Sequence, residues 1–168
     1  LAAAMPQTGH DALAAAVQIL NALYAERERY PAVVSRVAGI DSPTLAVGRI
    51  EGGINTNVVP DKVSFRLDRR MIPEEDPCEV EARLIEVIQG AAESLAGISV
   101  DVRRLLLARA LVPLPGHQRL ADAISRRAEA VFGEPIPATA TPLYTDARLY
   151  GEAGIPIVLY GAGPRSIL

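Results

Sequence analysis

From Lys62 to Ile72 the chain alternates strictly: Val63, Phe65 and Leu67 interleave with Ser64, Arg66 and Asp68. Period two marks a strand with one face buried and the other wet. Such a strand cannot stand alone, so the chain must fold as a sheet leaning on another layer. Pro73 stops the strand. Thr44 to Glu51 reads as its partner and closes at Gly52-Gly53, with the loop Ile54–Asp61 between them.

Helical periods flank this pair. Asp11 to Glu28 places Leu13, Val17, Leu20 and Tyr24 on one stripe, widened by Ala16 and Leu23, and this stripe is the expected buried face. Thr8 and Asp11 are its candidate N-caps, and Pro31 ends the pattern beyond Arg27 and Arg29. A second helix opens at Pro77, buries Val80, Leu84, Val87, Ile88, Ala91 and Leu95, and ends at Gly97. Ile98 to Leu106 reads as a third strand. The order is helix, strand, strand, helix, strand. With one strand before Leu1 it is the split β-α-β-β-α-β arrangement, an antiparallel sheet with two helices on one face. The expected class is α+β, a ferredoxin-like domain over residues 1–108 that lacks its first strand.

The remainder, residues 109–168, reads as a segment of an α/β domain. Pro113, Pro115 and Gly116 read as a linker or crossover, and Gln118 to Phe132 is a helix with Leu120, Ile124, Ala128 and Val131 on one face. Pro135, Pro137 and Pro142 enforce extended chain. Ile155-Pro156-Ile157-Val158-Leu159-Tyr160 suits a strand buried on both faces.

Composition excludes several functions. A net charge of −3 with mixed signs offers no basic face for nucleic acid. No apolar run reaches the ~20 residues of a membrane span, and the opening Leu-Ala-Ala-Ala-Met has no charged n-region, so no signal peptide is expected. The single cysteine, Cys78, cannot close an internal disulfide and fits a reducing, cytoplasmic compartment. With 4% aromatic residues and no tryptophan, the core must be aliphatic.

A hydrolytic zinc site needs about three converging ligands per metal. His10 and His117 lie in different segments, without ligand spacing, and read as surface or capping residues; no metal is expected in this chain itself. Glu74-Glu75-Asp76 suits the N-terminus of a helix. No nucleophile elbow, phosphate loop or dinucleotide fingerprint is present. Three groups remain. In Gly52-Gly53-Ile54-Asn55-Thr56-Asn57-Val58-Val59-Pro60 the asparagines either bond their own turn or, at Asn57, offer an amide N–H to a substrate oxygen. Alternation puts Arg69 on the apolar face, where it either snorkels out or pairs with a nearby carboxylate, or else meets the carboxylate of a substrate. Thr145, Asp146 and Arg148, followed by Gly161, form either a local ion pair with a helix cap or a pocket rim.

In this order, Met5-Pro6…Gly9-His10-Asp11-Ala12-Leu13, Gly52-Gly53…Asn57-Val58-Val59-Pro60, Asp68-Arg69…Pro73 and Thr145-Asp146-Ala147-Arg148 through Gly154-Ile155-Pro156 to Gly161-Ala162-Gly163 resemble the M20 metallopeptidase family. That family includes aminoacylases, acetylornithine deacetylases, carboxypeptidase-G and succinyl-diaminopimelate desuccinylases. The resemblance implies a lid domain that forms a homodimer and a catalytic domain with two zinc ions, or cobalt or manganese. There a metal-activated water, with a glutamate as general base, hydrolyses an N-acyl amino acid or peptide-like amide. By the same resemblance Asn57 holds the substrate or its oxyanion, Arg69 meets a substrate carboxylate, and Thr145, Asp146, Arg148 and Gly161 lie near the substrate. The family's metal ligands would lie upstream of Leu1 and beyond Leu168, and its lid histidine would fall near Ala2. On this reading the chain supplies dimerisation and substrate contacts; the alternative is a non-catalytic binding module derived from such an enzyme.

Overall fold

The computed structural model describes residues 9–108, 111–141 and 144–161. The chain divides into two compact units. The first holds residues 1–35 and 41–107, the second residues 36–40 and 108–168. Each is described by itself.

In the first unit α1 (Ala12–Arg27) starts where Asp11 accepts the amides of Leu13 and Ala14, at 2.9 and 3.0 Å. A 3-10 turn at Tyr30–Ala32 follows. β1 (Thr44–Gly52) and β2 (Val63–Arg70) form an antiparallel pair, and α2 (Pro77–Ala92) is capped by Asp76 through the amides of Cys78 and Glu79. Ile19 and Leu23 of α1, Leu45 of β1, Ile88 of α2 and Tyr30 form the core. Val47, Phe65, Leu67, Leu84 and Val87 pack around it, so both helices share one apolar core with one face of the sheet. The fold class is the expected mixed α+β one.

The register of the hairpin explains how β1 keeps its charges wet. Val47 pairs with Leu67 and Arg49 with Arg66, which leaves a bulge at Gly48. Without that extra residue Arg49 and Glu51 would point inward with Leu45 and Val47. The bulge reverses the phase. Arg49 and Glu51 instead join Ser64 and Arg66 on the outer face, where Ser64 donates to Glu51 at 3.2 Å.

In this unit three expectations are corrected. The buried stripe of α1 is Ala15, Ala16, Ile19 and Leu23, while Leu13, Val17 and Tyr24 are exposed. The helix is apolar around most of its circumference, so it carries two adjacent stripes of the same 3-4 spacing, and periodicity alone cannot choose between them. The structure buries the stripe containing the two alanines. α2 ends at Ala92 rather than at Gly97. Residues 93–97 form turns instead, closed by Ile98 N–H on the Leu95 carbonyl at 3.2 Å and by a left-handed Gly97 (φ 73°). Ile98 to Leu106 forms no ladder among the described residues: Val100 packs on the core, but Val102, Leu105 and Leu106 are exposed. Its alternation is real, but a strand requires a hydrogen-bonded neighbour as well as a pattern.

In the second unit α3 (His117–Phe132) runs between Gly116 and Gly133, both with positive φ, and buries Ala128. Leu120 and Val131, expected on its inner face, are exposed. Residues 36–40 belong to this unit, and Ala140 N–H donates to the Ala38 carbonyl at 3.3 Å. A short helix, α4 (Ala147–Glu152), follows. Ile155 to Tyr160 is not a buried strand: no described neighbour pairs with it, and Ile155, Leu159 and Tyr160 are about half exposed. Pro142 and Ala162-Gly163 lie outside the described residues.

Candidate substrate-contact site

The loop between β1 and β2 is fixed at both ends. Gly53 takes φ 79°, a left-handed shape that favours glycine, and Val59 is buried. The carbonyl of Pro60 accepts the amide of Ala12, the first residue of α1, at 3.0 Å. Between these anchors the two asparagines divide the work. Asn55 makes the turn: its side-chain oxygen accepts Thr56 N–H at 2.8 Å, and its carbonyl accepts Val58 N–H at 3.2 Å. Asn57 is exposed, and its amide has no partner among the described residues. The turn chemistry that could have claimed Asn57 is carried by Asn55.

Arg69 does face inward, as alternation requires. It is held there: its side chain is 7% exposed, and both terminal nitrogens engage Glu75, one at 3.3 Å. Its guanidinium lies 4.3 Å over the Tyr30 ring and donates to the Arg70 carbonyl. Glu75 also accepts Ile72 N–H at 3.0 Å. The guanidinium therefore reaches a carboxylate of its own domain rather than bulk water. The acidic run resolves into three tasks: Glu74 accepts from Ser35, Glu75 binds Arg69, and Asp76 caps α2. On the opposite face Arg70 is half exposed, and among the described residues only the Nε of its side chain is bonded, to Asp68 at 2.9 Å. Asn57 precedes β2 and Arg69 lies near its far end, and β2 alone rises about 20 Å between Val63 and Arg69. The structure does not gather these two residues at one point of this chain.

In the second unit Asp146 occupies the N-cap position of α4, but its side chain makes no capping bond. Arg148 pairs with Glu152 at 3.8 Å, not with Asp146, and lies 4.9 Å over the Tyr144 ring. Its Nε is buried without a partner. Thr145 contributes its carbonyl to the Arg148 amide at 3.4 Å, and Gly161 is exposed.

Sequence reasoning missed the main polar link of the helix layer. Glu26 lies on the buried stripe of α1, where Arg83 of α2 grips it at 2.8 and 3.2 Å and Arg29 approaches at 3.4 Å. The hydrogen bonds from Arg83 hold the Glu26 carboxyl below the usual carboxylate range, against burial, with help from Arg29. The 3-4 spacing that puts Glu26 below Leu23 was visible in the sequence.

Among the described residues no group of three or more His, Cys, Asp or Glu could hold a metal ion. His10 lies against Gly97, and His117 Nδ1 stands 2.9 Å from the Leu114 carbonyl at the start of α3. These residues do not fit a dinuclear metal centre. No described helix is long and apolar enough to cross a membrane.

Two helices laid on one face of an antiparallel hairpin, with a loop that presents an amide unpaired among the described residues, make up a mixed α+β domain. Residues 2–95 match the peptidase dimerisation domain of M20 enzymes, and the chain belongs to the M20 peptidase family. In fold it is similar to the aminopeptidase PepT from Bacillus cereus ATCC 10987, with a TM-score of 0.59 and 24% identity. That match covers 93% of this chain and 38% of the peptidase, so the chain spans well under half of the solved relative. No curated protein matches the chain.

Proposed function

We propose that this chain is the self-associating lid of a metal-dependent peptidase or deacylase, carrying dimer and substrate contacts for a catalytic centre whose metal ligands lie outside the described residues. One observation carries the proposal. The core of the first unit is already closed by one stripe of α1, yet a second apolar stripe, Leu13, Val17 and Tyr24, stands exposed beside it. An apolar helix face of this size on a dimerisation domain suits a second copy. The outer edge of β1, which no described strand pairs with, offers backbone groups of the kind that dimers join across a two-fold axis.

In the whole protein the bond cleaved is an N-acyl amino acid or peptide-like amide, and the metals are zinc, cobalt or manganese. Asn57 offers its free amide to a substrate oxygen. Glu75 occupies Arg69, so the guanidinium on β2 that meets a substrate carboxylate is its neighbour Arg70, whose Nε is tethered by Asp68 with the terminal nitrogens left open. Among the described residues Arg66, on the same face, lacks such a tether. Thr145, Asp146, Arg148 and Gly161 belong to the catalytic part, near the substrate. An exposed free thiol at Cys78 is consistent with a cytoplasmic setting.

Light scattering of the purified chain tests the association. A dimer is expected, and Val17→Glu should convert it to a monomer that melts as the wild type does once diluted to monomer. A strictly monomeric wild-type chain at high concentration would sink the proposal. Equilibration with zinc, cobalt or manganese should leave less than stoichiometric metal on the chain and no hydrolysis of N-acetyl amino acids; two tightly held ions per chain would place the centre here instead.

A further inference from the structure

We propose that Arg69 is a positioning residue whose role is to aim Arg70; this rests on the reading of Arg70 as the carboxylate-binding group. Arg69 and Arg70 are consecutive at the end of β2 and point to opposite faces of the sheet. The inner guanidinium is gripped on three sides: by both oxygens of Glu75, by the Tyr30 ring, and by the carbonyl of Arg70 to which it donates. That last bond fixes the peptide plane leaving Arg70. Glu75 fixes the next turn through the Ile72 amide at 3.0 Å. With its backbone held from below, the outer arginine needs only one side-chain tether, and Asp68 supplies it at Nε. The two terminal nitrogens then present a fork in a set direction, the geometry that recognises a carboxylate through two parallel bonds.

Stability alone is a poor reason for an arginine here. Ion pairs withdrawn from water often do no better than apolar residues of similar size, and this one leaves the Arg69 Nε buried without a partner. A leucine at position 69 would continue the Val63, Phe65, Leu67 series. What an apolar residue cannot do is bond the Arg70 carbonyl.

The test is nuclear magnetic resonance of arginine Nε–Hε groups in the full chain, with Arg66, which bears no hydrogen bond among the described residues, as the mobile reference. The wild-type Arg70 signal should be ordered and slow to exchange relative to that of Arg66. In the double variant Arg69→Leu, Glu75→Gln no buried charge is stranded, and the glutamine still accepts the Ile72 amide. The double variant should melt near the wild-type temperature while its Arg70 signal collapses onto that of Arg66. An Arg70 signal still ordered in the folded variant would overturn the proposal. So would an Arg70 as mobile as Arg66 in the wild type, or a double variant that no longer folds, since Arg69 would then serve the fold. Titration with N-acetylglycine separates the underlying reading: a shift at an ordered Arg70 supports carboxylate binding, and an ordered Arg70 that does not respond defeats that reading alone.

Discussion

Glu26 and Arg83 join α1 to α2 by a two-pronged ion pair at 2.8 and 3.2 Å, on a stripe that is otherwise apolar. Replacing Glu26 with glutamine removes the charge and part of the bonding and should cost about 1–2 kcal/mol, since Arg83 remains partly solvated. The folded carboxyl titrates below its ordinary value, so its contribution is present above that value and is lost as pH falls through the folded one. Melting temperatures of wild type and Glu26→Gln should differ at neutral pH and converge in strong acid. A difference that persists unchanged there would contradict the assignment.

The two stripes of α1 make opposite predictions. Leu23 is fully buried, and Leu23→Ala should destabilise the first unit by about 2–5 kcal/mol. Leu13 is about half exposed, and Leu13→Ala should stay within about 0.5 kcal/mol in the monomer. Urea denaturation at low protein concentration distinguishes them, and a large loss for Leu13→Ala would mean that the wrong face has been identified as buried.

The asparagines should also separate. Asn55→Ala loses the side-chain bond to Thr56 and should cost about 0.5–1.5 kcal/mol, whereas Asn57→Ala should leave stability unchanged. In the longer enzyme proposed above the order should reverse: Asn57→Ala should lower turnover by about 10²–10³-fold if its amide stabilises an oxyanion. Thermal melts and steady-state rates on the same two variants check both halves.

Gly53→Ala probes the hinge. A Cβ there would meet only Pro60 Cγ at 3.6 Å, an ordinary contact, so the cost is that of φ 79° for a residue with a side chain, about 1–2 kcal/mol. A melt several degrees lower is expected, and an unchanged one would show that the loop can adopt another shape.

The alternation of residues 63–69 made β2 and the inward direction of Arg69 legible, because a strict period of two leaves one phase to choose and the apolar residues choose it. The cap at Asp11, the acidic run Glu74-Glu75-Asp76 at a helix start and the helix opening at Pro77 were legible for similarly local reasons, though the run did not say that Asp76 is the cap. The buried side of α1 was not, because the choice between its two stripes is made by packing against α2 and the sheet. The strands expected at Ile98–Leu106 and Ile155–Tyr160 failed for a related reason: pairing is a property of two segments, and each pattern described only one. Within the site, Asn57 was singled out from its setting between two glycines and Val58-Val59-Pro60, and the structure leaves it free. The partner of Arg69 was visible as an acidic run, but nothing in the run said which carboxylate turned back toward the strand.

The extra residue at Gly48 lets a single strand obey two rhythms, one matched to the helices and one matched to water. Deleting it would rotate everything from Arg49 to Gly52 by half a turn, driving a guanidinium and a carboxylate toward the aliphatic interior and swinging the following loop, with its unpaired amide, to the other side of the hairpin. The aim of Asn57 is therefore set nine residues upstream of it.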